Sequence, residues 1–190
     1  MTSKIKVNIL ADGGDNAIIT SDGAGSFTAS SGLASSVQSV GGIQMTPAFH
    51  AYGSGSDQTI PDQTSTKVTV FNTEVFDSDN CFASNRFTPT VSGKYFVYCN
   101  LYWDTATAND FHNGSVQLRK NGNNTYSITN NWNASGGNAM GNHVGAIIDF
   151  NGSTDYVEFY CYQNTNSGAS STVYASQSNS SCGAYRIIGA

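Results

Sequence analysis

The sequence predicts an all-β domain, a sandwich or barrel of about ten short antiparallel strands. Three observations predict it. Apolar residues recur with period two or in short blocks, with Gly or Asn between the blocks, and no stretch of normal helix length carries a helical period. Aromatic residues make up 12% of the chain and cluster with β-branched neighbours, which disordered chains lack. Charged residues are only 11%, and Asn, Ser, Thr and Gly take their place.

The clearest strand covers residues 94–103. Tyr95, Val97, Cys99, Leu101 and Trp103 fall on one face, and Phe96, Tyr98, Asn100 and Tyr102 on the other, so both faces need cover. Further strands are expected at 47–52, 67–71, 115–120, 125–129, 143–150, 155–163 and 183–188. Asn121-Gly122 and Asn151-Gly152 are the hairpin signals, because a type I′ turn needs positive φ at both central residues. Residues 130–142 and 164–171 read as polar loops. Residues 1–46 are rich in Gly, Ala and Ser, with apolar runs only at 5–10 and 17–20. That is too little for a core, so the expectation is an extended anchor whose runs, with Ile5, Val7, Ile9, Ile18 and Ile19, pair with other chains.

Charge narrows the partners. The formal net charge is −5 and the eight Lys and Arg are scattered along the chain, which disfavours nucleic acid and anionic membranes. No stretch is long enough to cross a bilayer, and no apolar run follows Lys4 and Lys6 to make a secretory signal, so synthesis in a cytosol is expected. Cys81, Cys99, Cys161 and Cys182 have no zinc-ligand spacing and are expected to be buried thiols.

The segment from Pro47 onwards carries a more specific pattern. Pro47-Ala48-Phe49-His50-Ala51-Tyr52 is followed by Phe71-Asn72, Asp77, Phe82, and then Phe87-Thr88-Pro89-Thr90-Val91-Ser92-Gly93-Lys94-Tyr95-Phe96. Tyr156-Val157-Glu158-Phe159 and Ser181-Cys182-Gly183-Ala184-Tyr185 close the chain. In this order the motifs resemble the C1q and tumour-necrosis-factor superfamily over residues 47–190. The spacing between Phe82 and Phe87 is shorter than that family's, and Val97 stands where Phe is usual. The resemblance implies a jelly roll that assembles as a homotrimer and is not an enzyme. Tyr98, Tyr102 and Tyr160, opposite the core, are the seam candidates. The small-residue composition of 1–46 resembles the attachment region of a bacteriophage virion protein. This implies a trimeric knob on the virion surface, made in the host cytoplasm and held to a capsid or tail protein as a decoration or short fibre. A tail tip recognising a host glycan or protein, and an exported bacterial adhesin, are the alternatives.

No catalytic residue and no cofactor is expected. His112 lies near Asp110 and Ser115, but a triad is set by geometry and not by nearness in sequence. Asp77, Asp79 and Asn80 have the oxygen ligands a calcium ion takes but lack the EF-hand's Gly and distal Glu, so a solvated turn is the favoured reading. Trp132, flanked by Asn130 and Asn131, could stack on a sugar ring; packing on its own sandwich or at the seam is favoured over that.

Overall fold

The computed structural model describes residues 8–24, 27–29, 45–132 and 136–188. It divides into two compact units, Met1–Gln44 and Met45–Ala190.

In the smaller unit β1 (Ile9–Ala11), β2 (Ala17–Ser21) and β3 (Phe27–Ala29) form an antiparallel sheet in that order. Asp12 closes the β1–β2 turn by accepting the amides of Gly14 at 2.8 Å and Asn16 at 3.0 Å. The bonds from Asn16 and then Gly14 hold its carboxyl below the usual range. This corrects the expectation that the run 17–20 pairs with other chains. It pairs on both sides within its own chain, where a short turn makes loop closure cheaper in entropy than recruiting a second molecule. Ile5 and Val7 lie outside the described residues.

The larger unit is an antiparallel sandwich with no helix among its described residues. The first sheet joins β4 (Ala48–Gly53), β5 (Gln58–Ile60), β7 (Phe71–Asp77), β10 (Gly93–Thr105), β13 (Ala139–Phe150), β15 (Ser171–Val173) and β16 (Ser181–Arg186). Its main path runs β13, β10, β16, β4, β7, and β15 and β5 extend it beside the end of β10. The second sheet joins β6 (Thr66–Lys67), β8 (Phe82–Ala83), β9 (Arg86–Phe87), β11 (Phe111–Lys120), β12 (Asn123–Asn131) and β14 (Val157–Thr165), in the order β12, β11, β14, β9, β8 with β6 also on β14.

Alternation along β10 buries Tyr95, Val97, Cys99, Leu101 and Trp103, as the period predicts. The other face of β10 is only half covered within one chain. Gly93 enters the strand at φ +143°, and a Cβ there would press on Arg186 Nε at 3.2 Å. Past that corner Tyr95 packs edge-on against Phe87 at 5.6 Å and Phe150 at 5.4 Å, and its hydroxyl donates to the Val91 carbonyl at 2.7 Å. The recurring Phe, Gly and Tyr of the motif are thus one corner of the core. Burial pushes the Tyr95 hydroxyl up to about 12.

Three local expectations need correction. Residues 67–71 are not one strand. β6 ends at Lys67, both Val68 and Val70 turn inward, and the Gln58 amide spans the gap to Lys67 O and Thr69 N. Asn151-Gly152 is not a hairpin, because β13 and β14 belong to different sheets; Asn151 Oδ1 instead gathers the amides of Ser153, Thr154 and Asp155 into a crossover loop. Asn130 and Asn131 belong to β12 and not to a loop. Asn121-Gly122 does form the two-residue turn, with φ of 52° and 81°. All four cysteines are buried free thiols, and burial pushes the thiols of Cys99, Cys161 and Cys182 up, away from the reactive thiolate.

Candidate self-association face

Strand register places the outward side chains of the first sheet in rows. One row is Ile147, Phe96, Tyr185 and Ala48, read from β13 through β10 and β16 to β4. The next is Gly145, Tyr98, Gly183, His50 and, on β7, Phe76. The third is His143, Asn100, Ser181 and Tyr52.

The glycines make this face flat. A Cβ at Gly183 would lie 2.5 Å from the Tyr98 hydroxyl, and one at Gly145 would lie 2.9 Å from the Phe96 ring. Both rings therefore lie down across the sheet, 6.1 Å apart and nearly parallel. The Tyr98 hydroxyl and His50 Nδ1 are hydrogen-bonded at 2.8 Å, and Phe96 meets Tyr185 at 5.6 Å. In the third row His143 Nδ1 and Asn100 Oδ1 are 2.7 Å apart, and Asn100 donates to Ser181 Oγ at 3.0 Å. Tyr98 and His50, and His143, Asn100 and Ser181, are thus bonded to one another, while Ile147 is 54% exposed, Phe76 51% and Tyr185 38%. Exposed apolar side chains gathered on one sheet face make it the candidate interaction surface.

A second apolar exposure lies along β12. Register sets Tyr126 opposite Leu118 and Ile128 opposite Val116, on the side that is core in β11, yet at the sheet edge both stay close to half exposed. The Tyr126 hydroxyl donates to the Ile147 carbonyl at 3.4 Å, tying this edge to β13.

The expected seam residues do not share one face. Tyr98 and Tyr102 stand on the first sheet, whereas Tyr160 stands on the outward side of the second, under the Arg119 guanidinium at 4.1 Å. There the register aligns Arg119, Glu158 and Arg86 across β11, β14 and β9. Glu158 Oε1 receives Lys67 Nζ at 2.7 Å and Arg86 Nη2 at 2.8 Å. Burial alone pushes the Glu158 carboxyl up, but the hydrogen bonds and charges of Lys67 and Arg86 outweigh it and hold it below the usual range. A carboxyl lowered by folding contributes stability above its unfolded pKa and loses it as pH falls through the folded value. Glu158→Gln is therefore expected to cost about 1–3 kcal/mol near neutral pH, with the gap closing below about pH 4. Urea denaturation of both proteins across that range checks it, and a gap undiminished in acid contradicts the assignment.

The remaining sequence candidates are placed as follows. Asp77 accepts the amides of Cys81 at 3.0 Å and Phe82 at 2.8 Å, and Asp79 accepts from Ser78 Oγ at 2.6 Å, so these carboxylates are engaged in the turn. Asn80 has φ 53° at the same turn. Trp132 is half-buried against the core, 6.5 Å from Phe111, and Asn130 donates to Asn142. Asn131 is exposed opposite Asn113. Asp110 is tied to Ser167, Ser115 to Gln117, and His112 to Asn113, so the three do not meet as a triad. In the small unit Ile9 is 56% exposed, while Ile18 and Ile19 are half-buried. Sequence reading missed Ile147, Tyr185 and Phe76. Their signal was the glycine at alternate positions beside large aromatics, legible only once register is known.

No family model and no curated protein sequence matches the chain. Solved structures do. Eiger TNF from S. frugiperda is 12% identical with a TM-score of 0.56, over 75% of this chain and 93% of that one. Murine APRIL at pH 8.0 is 10% identical with a TM-score of 0.54, over 74% and 98%. The globular domain of zebrafish complement 1qA is 16% identical with a TM-score of 0.49, over 75% and 98%. The two tumour-necrosis-factor likenesses show the fold, a TNF-like jelly roll.

Proposed function

We propose that the chain is a non-enzymatic surface protein of a phage virion, a homotrimeric knob attached through its N-terminal unit as a capsid decoration or short fibre. The observation that carries the assembly is the flat aromatic face of the first sheet, open in a single chain. A closed ring of three needs two different, complementary surfaces on each copy. The aromatic face and the β12 edge with Tyr126 and Ile128 supply such a pair. Attachment is supported by the N-terminal unit, which is small and compact and exposes Ile9 and Leu10 on a three-stranded sheet. Deleting residues 2–40 is expected to leave a soluble trimer, seen by native mass spectrometry, that no longer binds particles. A truncated protein that still decorates virions at full occupancy moves attachment onto the jelly roll, and purified particles that never carry the full-length protein refute the virion role.

A further inference from the structure

The cations that look scattered in the sequence are gathered by the fold. Lys67 and Arg86 both pair with one carboxylate, Glu158, on the outward face of the second sheet, and Arg119, bonded to Gln117, is the register neighbour of Glu158 on β11. Lys120, near them on β11, is paired with Asp155 at 2.8 Å. On this sheet face three cations stand beside one carboxylate, in a chain whose formal net charge is −5.

Next to this cluster lies a cleft of about 430 Å³ whose lining includes Lys67, Arg86, Asn80, Ser84 and Thr88. The two cations keep donors in reserve. Lys67 spends two N–H groups, on Glu158 and on the Ser84 carbonyl at 2.9 Å. Arg86 turns Nε and Nη2 to Glu158, lies 4.0 Å above the Tyr156 ring, and remains 44% exposed. The side chains of Asn80, Ser84 and Thr88 make no hydrogen bond among the described residues. The backbone is also unusual here. Asn80, Ser84 and Asn85 all have φ between 52° and 55°, and for Ser84, neither Gly nor Asn, that conformation is disfavoured. The Lys67 ammonium on its carbonyl helps to hold it. Burial, and with it the charges of Asp77 and Asp79, raises the Cys81 thiol in the cleft lining, and both acids spend oxygens on hydrogen bonds within their own turn.

We propose that this cleft binds a carboxylate-bearing sugar of the uronic-acid class, with Arg86 and Lys67 holding the carboxylate and Asn80, Ser84 and Thr88 meeting the ring hydroxyls. Buried Glu158 positions the two cations and takes no part in contact. Neutral donors mixed with two cations that keep N–H groups unspent suit a hydroxylated monoanion. A polyanion such as nucleic acid needs a longer run of cations than this. The volume is in the range of small-molecule sites. The inference stands on the second sheet and the turn from β7 to β8, independent of assembly and of virion attachment.

Calorimetric or NMR titration of the full chain with glucuronate, galacturonate, glucose and acetate tests it. Saturable binding of a uronate is expected, with glucose and acetate binding much more weakly. Arg86→Gln should weaken the uronate by about tenfold to a hundredfold, the loss of charge-assisted hydrogen bonds. Thr88→Val should weaken it less, and Lys94→Gln, on the other sheet, should leave it unchanged. If Arg86→Gln does not fold, Thr88→Val against Lys94→Gln decides. The site is refuted by absent uronate binding, by glucose or acetate binding as tightly, or by Lys94→Gln weakening binding as much as the cleft variants.

Discussion

Replacing Ile147 with glutamate is expected to convert the proposed trimer into a monomer without unfolding the chain. Ile147 is 54% exposed in a single chain, so its replacement leaves the core intact. In the proposed assembly it would be covered together with its register neighbour Phe96 on β10. Each copy would then bury an unpaired carboxylate, a penalty of about several kcal/mol per site that is repeated at every seam. Sedimentation should show the mass of one chain in place of three, with the circular dichroism and melting of a folded sandwich. A variant that stays trimeric removes the aromatic face from the seam.

Phe49→Ala is expected to be the most damaging single truncation for the fold. Phe49 is 1% exposed at the start of β4 and stacks on Phe82 at 4.2 Å, with Phe87 at 4.9 Å and Phe159 at 6.5 Å. It joins residues of both sheets, so no neighbour can refill its space. The loss should be about 3–5 kcal/mol, a large share of a domain's stability of about 5–15 kcal/mol. A fall in melting temperature of about 10 °C or more follows. Phe76→Ala, on the outward face, should barely move the melting of a monomeric background such as Ile147→Glu. Equal effects at the two positions would mean that Phe49 does not bridge the sheets.

Local patterns in the sequence determined which residues face the core and where several turns fall. The period of two along 94–103, the Asn121-Gly122 turn and the Gly93 corner each depend on a few neighbouring dihedrals, so a single sequence carries them. The motif from Phe87 to Tyr95 also announced the jelly roll, because those residues meet in one aromatic corner. What lies between strands was decided only by the tertiary structure. Asn151-Gly152 has the chemistry of a hairpin, yet its flanking strands go to different sheets. The run 17–20 could pair with any strand, and the Asp12 turn made its own chain the partner. Lys67 and Glu158 are 91 residues apart, and only sheet order brings them within 2.7 Å. The same holds for the flat aromatic face, which requires Gly145 and Gly183 to fall beside Phe96 and Tyr98. Side-chain direction is a property of one strand, whereas register and sheet order are contacts between strands distant in sequence, and these set both proposed surfaces.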